Sequence, residues 1–568
     1  MSEPAHQPIA NAAMAHWQSR LHSAEQQALP ANIPALFAQM AQAHPQQILL
    51  DMFEDAQQIS YAEFDALSTR LAMGLRAAGV QPGMHVVVML PNGLHWHLTW
   101  LAVLKLGAAV VPVNPTYTVR ELEYVLADAQ VKAWVLGTER AEVPDQLSTW
   151  PATLPRDRVW TAAARLGQAC PWQALLDSTA PGDAADFVAA ELGLETLANI
   201  QYTSGTTGFP KGCLLTHGYW LTLAQSACLM HPLPAADQSP LRRFFTAQPF
   251  FYMDPFWQLL MTATAGGTLL AAHKISASKF LGWLAEHHIE WAQLPELALK
   301  SLHTVDDRQL DLRQVFTFGW SAESRLAFEQ RFKVPAVESF GMTEIGLGLT
   351  MPQGYPSALK PVSVGMPALR REARIVDAAG QPVGPEVAGE LQIRGEHLFK
   401  GYFKQPEANA AAFDGPWFRT GDAFVRDADG FYRIVGRFKD MIRRSSENIA
   451  AREVEAVVRE LDEVFDCAAV AEPDPVRVEE VKIMVQLKLE LLQPGQPPQA
   501  VLPVARLLAH CQSGLAPFKV PRYVQFVDSF PRTASNKIAK HLIAQAAQGA
   551  RAEVFDRVAG TWRAAFDS

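Results

Sequence analysis

Cysteine is scarce in this chain. Cys170, Cys213, Cys228, Cys467 and Cys511 are its five cysteines in 568 residues, odd in number and without a C-x-x-C pair. That scarcity argues against a disulfide framework or a thiolate zinc site, and it fits thiols kept reduced in the cytosol. Positive charge is also short: 49 Lys and Arg stand against 58 Asp and Glu, for a formal net charge of −9. Non-specific nucleic-acid binding needs a basic surface, so a nucleic-acid partner is not expected. The longest apolar stretch, Leu98 to Val113, is broken by Lys105, Gly107 and Pro112. It reads as a helix followed by a strand, and no membrane span is expected. The N-terminus MSEPAHQPIANAAMAHW lacks both the basic n-region and the apolar h-region of a secretion signal. These absences together predict a cytoplasmic protein.

What is present is a large globular chain, 49% hydrophobic and 19% charged, long enough for two to four domains or subdomains. Short β-branched runs alternate with helical patterns. VVVML (Val86–Leu90), AAVVPV (Ala108–Val113) and KAWVL (Lys132–Leu136) read as strands, with HWHLTWLAVLKLG as a helix ending at Gly107. Thr118 and Glu121 form a capping box ahead of an apolar stripe of Leu122, Val125 and Leu126. Such alternation predicts doubly wound, mostly parallel sheets. Residues 138–196 show no clear period. The alternation resumes at LANIQYT (Leu197–Thr203) with a helix from about Gly218, while GELQIRG (Gly389–Gly395) suggests a small β subdomain. After YRIVGRFKD the texture becomes that of a compact α+β unit. The expected fold is therefore α/β. A large N-terminal domain of mixed sheets spans 1–436, and a small mobile α+β domain spans 437–568.

The segment QYTSGTTGFPKGCLLTH (Gln201–His217) carries glycines, hydroxyls and one lysine like a phosphate loop, yet it is not a Walker loop. Pro210 precedes Lys211 and Gly212 follows it, against the pattern G-x-x-x-x-G-K-[ST]. Flexible glycines let backbone N–H groups and hydroxyls wrap a polyphosphate, with Lys211 as a mobile counter-charge. Four further segments bear chemistry. FGMTE (Phe340–Glu344) ends in a carboxylate suited to Mg²⁺, which takes oxygen ligands. FRTGD (Phe418–Asp422) ends in an acid suited to ribose hydroxyls. GRFKDMIRRSSEN carries Arg437, Lys439 and Arg443, and FPRTASNKIAK carries Lys537 in a polar loop. Each alone reads first as an ordinary turn acid, basic cluster or surface lysine.

In this order the five segments resemble the adenylate-forming superfamily: acyl- and aryl-CoA synthetases, peptide-synthetase adenylation domains and firefly-type luciferases. The resemblance runs from about residue 35 to about 545 and implies a two-step reaction. A carboxylate attacks the α-phosphorus of ATP, and a thiol, usually that of coenzyme A, then takes the acyl group and releases AMP. It implies that Ser204, Gly205, Thr206, Thr207, Gly208 and Lys211 hold the outer phosphates, with Thr203 and Glu344 on Mg²⁺. Gly319, Trp320 and Ser321, with Phe340, Gly341 and Thr343, would enclose the nucleotide base, while Asp422 and Arg437 hold the ribose. Lys537 would be the cation of adenylation. Lys439 would be the hinge that exchanges Lys537 for the Arg443 loop.

Three positions depart from the family spelling: Asn536 stands for glycine in S-G-K, Ser446 for a glycine in the thiol-tunnel loop, and Tyr252 for a gating His or aromatic. The acyl pocket is expected at QPFFYMDPFWQ, with Tyr252, Met253, Asp254 and Trp257 as contacts. Two readings of this segment stay open. Phe256 and Trp257 as core with Asp254 capping the next helix is one, and an aromatic, acidic pocket for a cationic acid is the other. The run Phe251–Ala271 faintly resembles carnitine/crotonobetaine-CoA ligases. The reading is an AMP-forming carboxylic acid–CoA ligase using ATP, Mg²⁺ and coenzyme A on a small-molecule acid. The alternative acceptor is an amine or a separate carrier protein. A homo-oligomer is left open.

Overall fold

The computed structural model describes residues 3–180, 187, 190–203, 210–231, 239–296, 305–437, 441–444, 447–474, 477–493, 495–515, 517–532, 538–540, 542–543 and 553–564. The chain divides into two compact units. One is Met1–Thr203, Lys211–Ala373 and Ile393–Phe418; the other is Ser204–Pro210, Arg374–Gln392 and Arg419–Ser568.

The first unit holds two large sheets. A six-stranded sheet runs in the order Val159–Ala162, Ala133–Gly137, His85–Met89, Ala109–Pro112, Leu197–Thr203 and Lys211–Thr216. Its first five strands are parallel and the last pair is antiparallel. The three central strands are buried almost throughout, which is why they read as continuous apolar runs. The helix Leu94–Lys105 is buried along its whole length and stops at Gly107, whose φ of 69° only glycine adopts cheaply. Its terminal Lys105 Nζ donates to Asp65 Oδ1 at 2.7 Å and to Thr69 Oγ1 at 2.6 Å. Helix Val119–Asp128 opens on the expected capping box of Thr118 and Glu121 and buries Leu122, Val125 and Leu126.

A nine-stranded sheet in the same unit runs from Met366–Pro367 through Gly346–Thr350, Ala336–Met342, Gln314–Thr317, Trp291–Gln293, Arg243–Thr246, Thr268–Ala271 and Ile48–Met52 to Gln57–Ser60. Its core is parallel and its edge pairs are antiparallel. The second unit carries a seven-stranded sheet against helices Ala451–Arg459 and Val504–Gly514. The architecture is the mixed α/β fold with a smaller α+β C-terminal part that the sequence predicts. Gly389–Gly395 belongs to a separate five-stranded sheet.

Two local expectations are corrected, and one helix that the sequence reading did not assign is added. Lys211–Thr216 is not loop but a strand, because pairing with Leu197–Thr203 satisfies its backbone and buries four of its six residues. The stretch 138–196 holds the strand Val159–Ala162 and the helix Pro171–Asp177, too short to show a period. Glu3–Glu25 is a long helix that buries only a narrow stripe of Ala10, Ala13, Trp17 and Ala24.

His95, His97 and His217 are buried in the first unit and His231 is partly buried; desolvation pushes His97 and His231 down to about 3 and His95 and His217 down to about 4. Each stays neutral when folded, whereas the unfolded chain takes up protons from about pH 6.5 downward. Their contribution is complete above that pH and is lost as pH falls toward the folded values. At pH 5 each such histidine should subtract about 2 kcal/mol. A urea midpoint that falls steeply between pH 7 and 5, with a shallower fall in His97→Phe, is expected. A midpoint flat across that range would contradict it.

Candidate active site

The strands Leu197–Thr203 and Lys211–Thr216 pair with Thr203 opposite Lys211, and Thr203 Oγ1 donates to Lys211 O at 3.4 Å. On its other edge the second strand meets residues 400–403: Lys400 N donates to Leu214 O (2.8 Å), Leu214 N to Gly401 O (3.0 Å) and Phe403 N to Gly212 O (2.8 Å). That pairing brings the Tyr402 ring to 4.7 Å from Lys211 Nζ. The Tyr402 hydroxyl donates to Glu344 Oε1 at 2.9 Å.

Glu344 sits in the turn between antiparallel strands Ala336–Met342 and Gly346–Thr350 and is 8% exposed. Its backbone is held independently of its side chain. Tyr219 Oη donates to Thr343 O (2.9 Å), Arg371 Nε to Ile345 O (3.2 Å) and Phe399 N to Glu344 O (3.0 Å). The Cys213 thiol is buried on the strand bridged to Tyr402. Burial and the Glu344 charge push it up, while a hydrogen bond with Thr203 and the Lys211 charge act the other way. Burial and the same carboxylate push the Tyr402 phenol well above its usual range, so it remains a donor.

The expected base-binding loop is built on a second buried acid. Gly319, at φ 71°, donates its N–H to Glu338 Oε1 at 2.5 Å, and Thr317 Oγ1 donates to Glu338 Oε2 at 2.6 Å. Burial raises the Glu338 pKa against these bonds. Trp320 Nε1 donates to Leu294 O (3.1 Å), and Ser321 caps helix Ala322–Phe332 by accepting from Ser324 N (3.0 Å). Phe340 and Gly341 lie on the neighbouring strand opposite Leu349 and Leu347. A side chain at Gly341 would come within 2.6 Å of Gly346 O, so the close approach of the two strands requires glycine.

In the expected acyl segment Tyr252 takes the N-cap position without a side-chain cap bond, and helix Met253–Ala265 follows. Asp254 is therefore not the cap. It lies in the first turn, half-buried, where its Oδ1 accepts from Trp257 Nε1 at 3.0 Å and Gln293 supplies a second bond. Desolvation raises its pKa. Trp257 is buried edge-on against Trp291 and Phe316, and Phe256 is core, packed on Trp96 and Trp220. The segment is tied to the phosphate strand: Gln201 Nε2 donates to Phe251 O (3.1 Å), and Phe250 N donates to Asn92 Oδ1 (2.7 Å).

In the second unit Asp422 pairs opposite Arg437 across antiparallel strands, and its N–H donates to Thr420 Oγ1 at 3.1 Å. Ser204, Gly205, Thr206, Thr207, Gly208, Lys439 and Lys537 lie outside the described residues, as do Ser446 and Asn536; for Arg437 and Arg443 only the backbone is described. Among the described residues no cluster of three or more His, Cys, Asp or Glu is arranged to hold a metal. The hydroxyl of Thr203 and carboxylate of Glu344 fit Mg²⁺, which binds through one or two protein oxygens plus water and substrate phosphates. No helix among the described residues is long and apolar enough to cross a membrane. Sequence reading missed Tyr402 and Glu338. The available signals were an aromatic after the strained Gly401 and an acid inside the apolar run AVESF.

Residues 37–403 match the family described as AMP-binding enzyme, and 453–537 match the AMP-binding enzyme C-terminal domain. A feruloyl-CoA synthase of Amycolatopsis is 32% identical over 85% of this chain and 92% of its own. A crotonobetaine/carnitine–CoA ligase of Proteus mirabilis is 29% identical over 86% of this chain and 95% of its own. Among solved structures, the o-succinylbenzoate CoA synthetase of Bacillus subtilis in complex with its acyl-adenylate intermediate superposes with a TM-score of 0.75 at 25% identity. That match covers 91% of this chain and 98% of the other.

Proposed function

The chain belongs to the family of AMP-binding enzymes, and from that premise we propose that it is an AMP-forming carboxylic acid–coenzyme A ligase. The observation that carries the reading is that Tyr402 joins Glu344 to Lys211, with Thr203 opposite Lys211 in the strand pair: a carboxylate, a cation and a hydroxyl in one place. Such a set suits a triphosphate whose outer two groups leave as pyrophosphate. Thr203 and Glu344 would hold Mg²⁺, which when bound neutralises charge on the departing phosphates. Lys211 balances the remaining charge. The residues 319–321 and 340–343 bind the base, and Asp422 and Arg437 bind the ribose. The acyl group lies against Tyr252, Met253, Asp254 and Trp257, whose Nε1 donates to Asp254 Oδ1; the substrate carboxylate attacks the α-phosphorus, and Lys537 balances the charge that develops. Lys439 is the proposed hinge between 1–436 and 437–568. The Arg443 loop then replaces Lys537 as the coenzyme A thiol attacks the acyl carbon and AMP leaves.

The test is a pyrophosphate-release screen over mid-sized carboxylic acids, aromatic and betaine-type included, with and without coenzyme A. Release should require acid, ATP and Mg²⁺, and coenzyme A should convert a single burst into sustained turnover with thioester and AMP in equal amounts. If acyl-adenylate forms but no thioester appears with any accepted acid, an amine or carrier protein is the acceptor. Release that needs no acid would remove the ligase reading.

A further inference from the structure

The structure assigns Tyr402 as the positioning residue of the phosphate and metal end of the site. Its hydroxyl fixes one oxygen of Glu344, and its ring carries the ammonium of Lys211. The assignment rests on the reading of Glu344 as a metal ligand and Lys211 as a phosphate cation.

The geometry is built for this contact. Tyr402 is 9% exposed. Its backbone N–H donates to Asn409 Oδ1 at 2.6 Å, and its carbonyl accepts from Asn409 Nδ2 at 2.9 Å. The preceding Gly401 has φ 120°, and a Cβ there would lie 2.9 Å from Asn409 Oδ1, so no other residue fits the turn without strain. The antiparallel bridge between Cys213 and Tyr402 registers the ring against the strand that begins at Lys211. Backbone, bracket and bridge together hold the residue where its side chain meets the carboxylate on one side and the ammonium on the other.

The chemistry of the choice is informative. A buried carboxylate needs hydrogen-bond partners. An arginine or lysine in this place would satisfy Glu344 but cancel its charge. A phenol donates one bond and leaves the negative charge for a metal ion. On its other face the ring attracts Lys211 through its quadrupole. That hold is softer than a charge pair, so the ammonium stays on station yet can turn to a phosphate. Hydrogen bonds to metal-ligating carboxylates typically control metal affinity by about 10–100-fold.

The experiment compares Tyr402→Phe, Tyr402→Leu, Glu344→Ala and the unaltered enzyme, all in the full chain. Mn²⁺ binding is titrated by electron paramagnetic resonance in the presence of α,β-methylene-ATP, and binding of that analogue is measured separately without metal. Tyr402→Phe keeps the ring and should weaken Mn²⁺ binding about 10–100-fold while leaving metal-free analogue binding unchanged. Tyr402→Leu should weaken both. At saturating metal, pyrophosphate release by Tyr402→Phe should recover to within a few-fold of normal, which a general packing defect would not allow. If Tyr402→Leu does not fold, Lys211→Met in the Tyr402→Phe background replaces it and should lower metal-free analogue binding. An unchanged Mn²⁺ curve in Tyr402→Phe, with Glu344→Ala losing the metal, overturns the inference alone. An unchanged curve in Glu344→Ala overturns the reading beneath it. Equal metal-free binding by all variants overturns the role of the ring.

Discussion

Glu344→Ala is expected to slow acid-dependent pyrophosphate release by about 10²–10³-fold, the usual loss when one preorganised charge-stabilising group is removed from an enclosed site. The departing pyrophosphate carries several negative charges. In a buried site they need a cation that a carboxylate has fixed beforehand. Glu344 is the carboxylate proposed for this, 8% exposed and hydrogen-bonded to Tyr402. The substitution should leave the fold intact, because the turn is clamped through its backbone by Tyr219, Arg371 and Phe399. Glu344→Gln separates charge from shape: it can keep the Tyr402 contact but not the charge, so its loss should approach that of alanine. The measurement is initial-rate pyrophosphate release across a Mg²⁺ titration. A Glu344→Ala enzyme running near the normal rate at ordinary Mg²⁺ would remove Glu344 from the metal site.

Much of the first unit was legible because its signals are local. Leu122, Val125 and Leu126 behind the Thr118–Glu121 capping box needed nothing beyond a helical period, and the apolar runs at 86–90, 108–113 and 132–136 announced the buried strands found at 85–89, 109–112 and 133–137. The hidden parts depend on partners distant in sequence. Lys211–Thr216 is strand because residues 197–203 and 400–403 bond its two edges. Tyr402 becomes part of the site only when residue 402 lies beside residues 211 and 344. Glu338 looks like an ordinary acid until Gly319 and Thr317 converge on it. In the second unit Tyr523–Phe526, Glu553–Asp556 and Thr561–Ala564 are four-residue strands, too short to show a period of two with any contrast. The helix Glu3–Glu25 buries mostly alanine, so its stripe carries little hydropathy signal.

Lys537→Ala should separate the two half-reactions. Acyl-adenylate formation is expected to fall by about 10²–10³-fold, because a cation at the developing α-phosphate charge acts in the transition state rather than in binding alone. Conversion of a supplied acyl-adenylate to thioester should stay within a few-fold of normal, since the proposed mechanism has Lys537 out of the site by then. The substitution should not unfold its domain, because both flanks of the segment are anchored by other residues. Arg532 pairs with Asp466 at 2.8 Å and bridges to Ile538, and Lys540 pairs with Glu455 at 2.5 Å. Phe530 and Ile543 pack with Ala468 and Met484. Lys439→Pro supplies the mirror case: fixing φ at the proposed hinge should spare adenylation and stall thioester formation. Single-turnover measurements of each half, on both variants, decide the matter. Equal loss of both halves in both variants would mean that one fixed arrangement performs the whole reaction, and the exchange of Lys537 for the Arg443 loop would have to be abandoned.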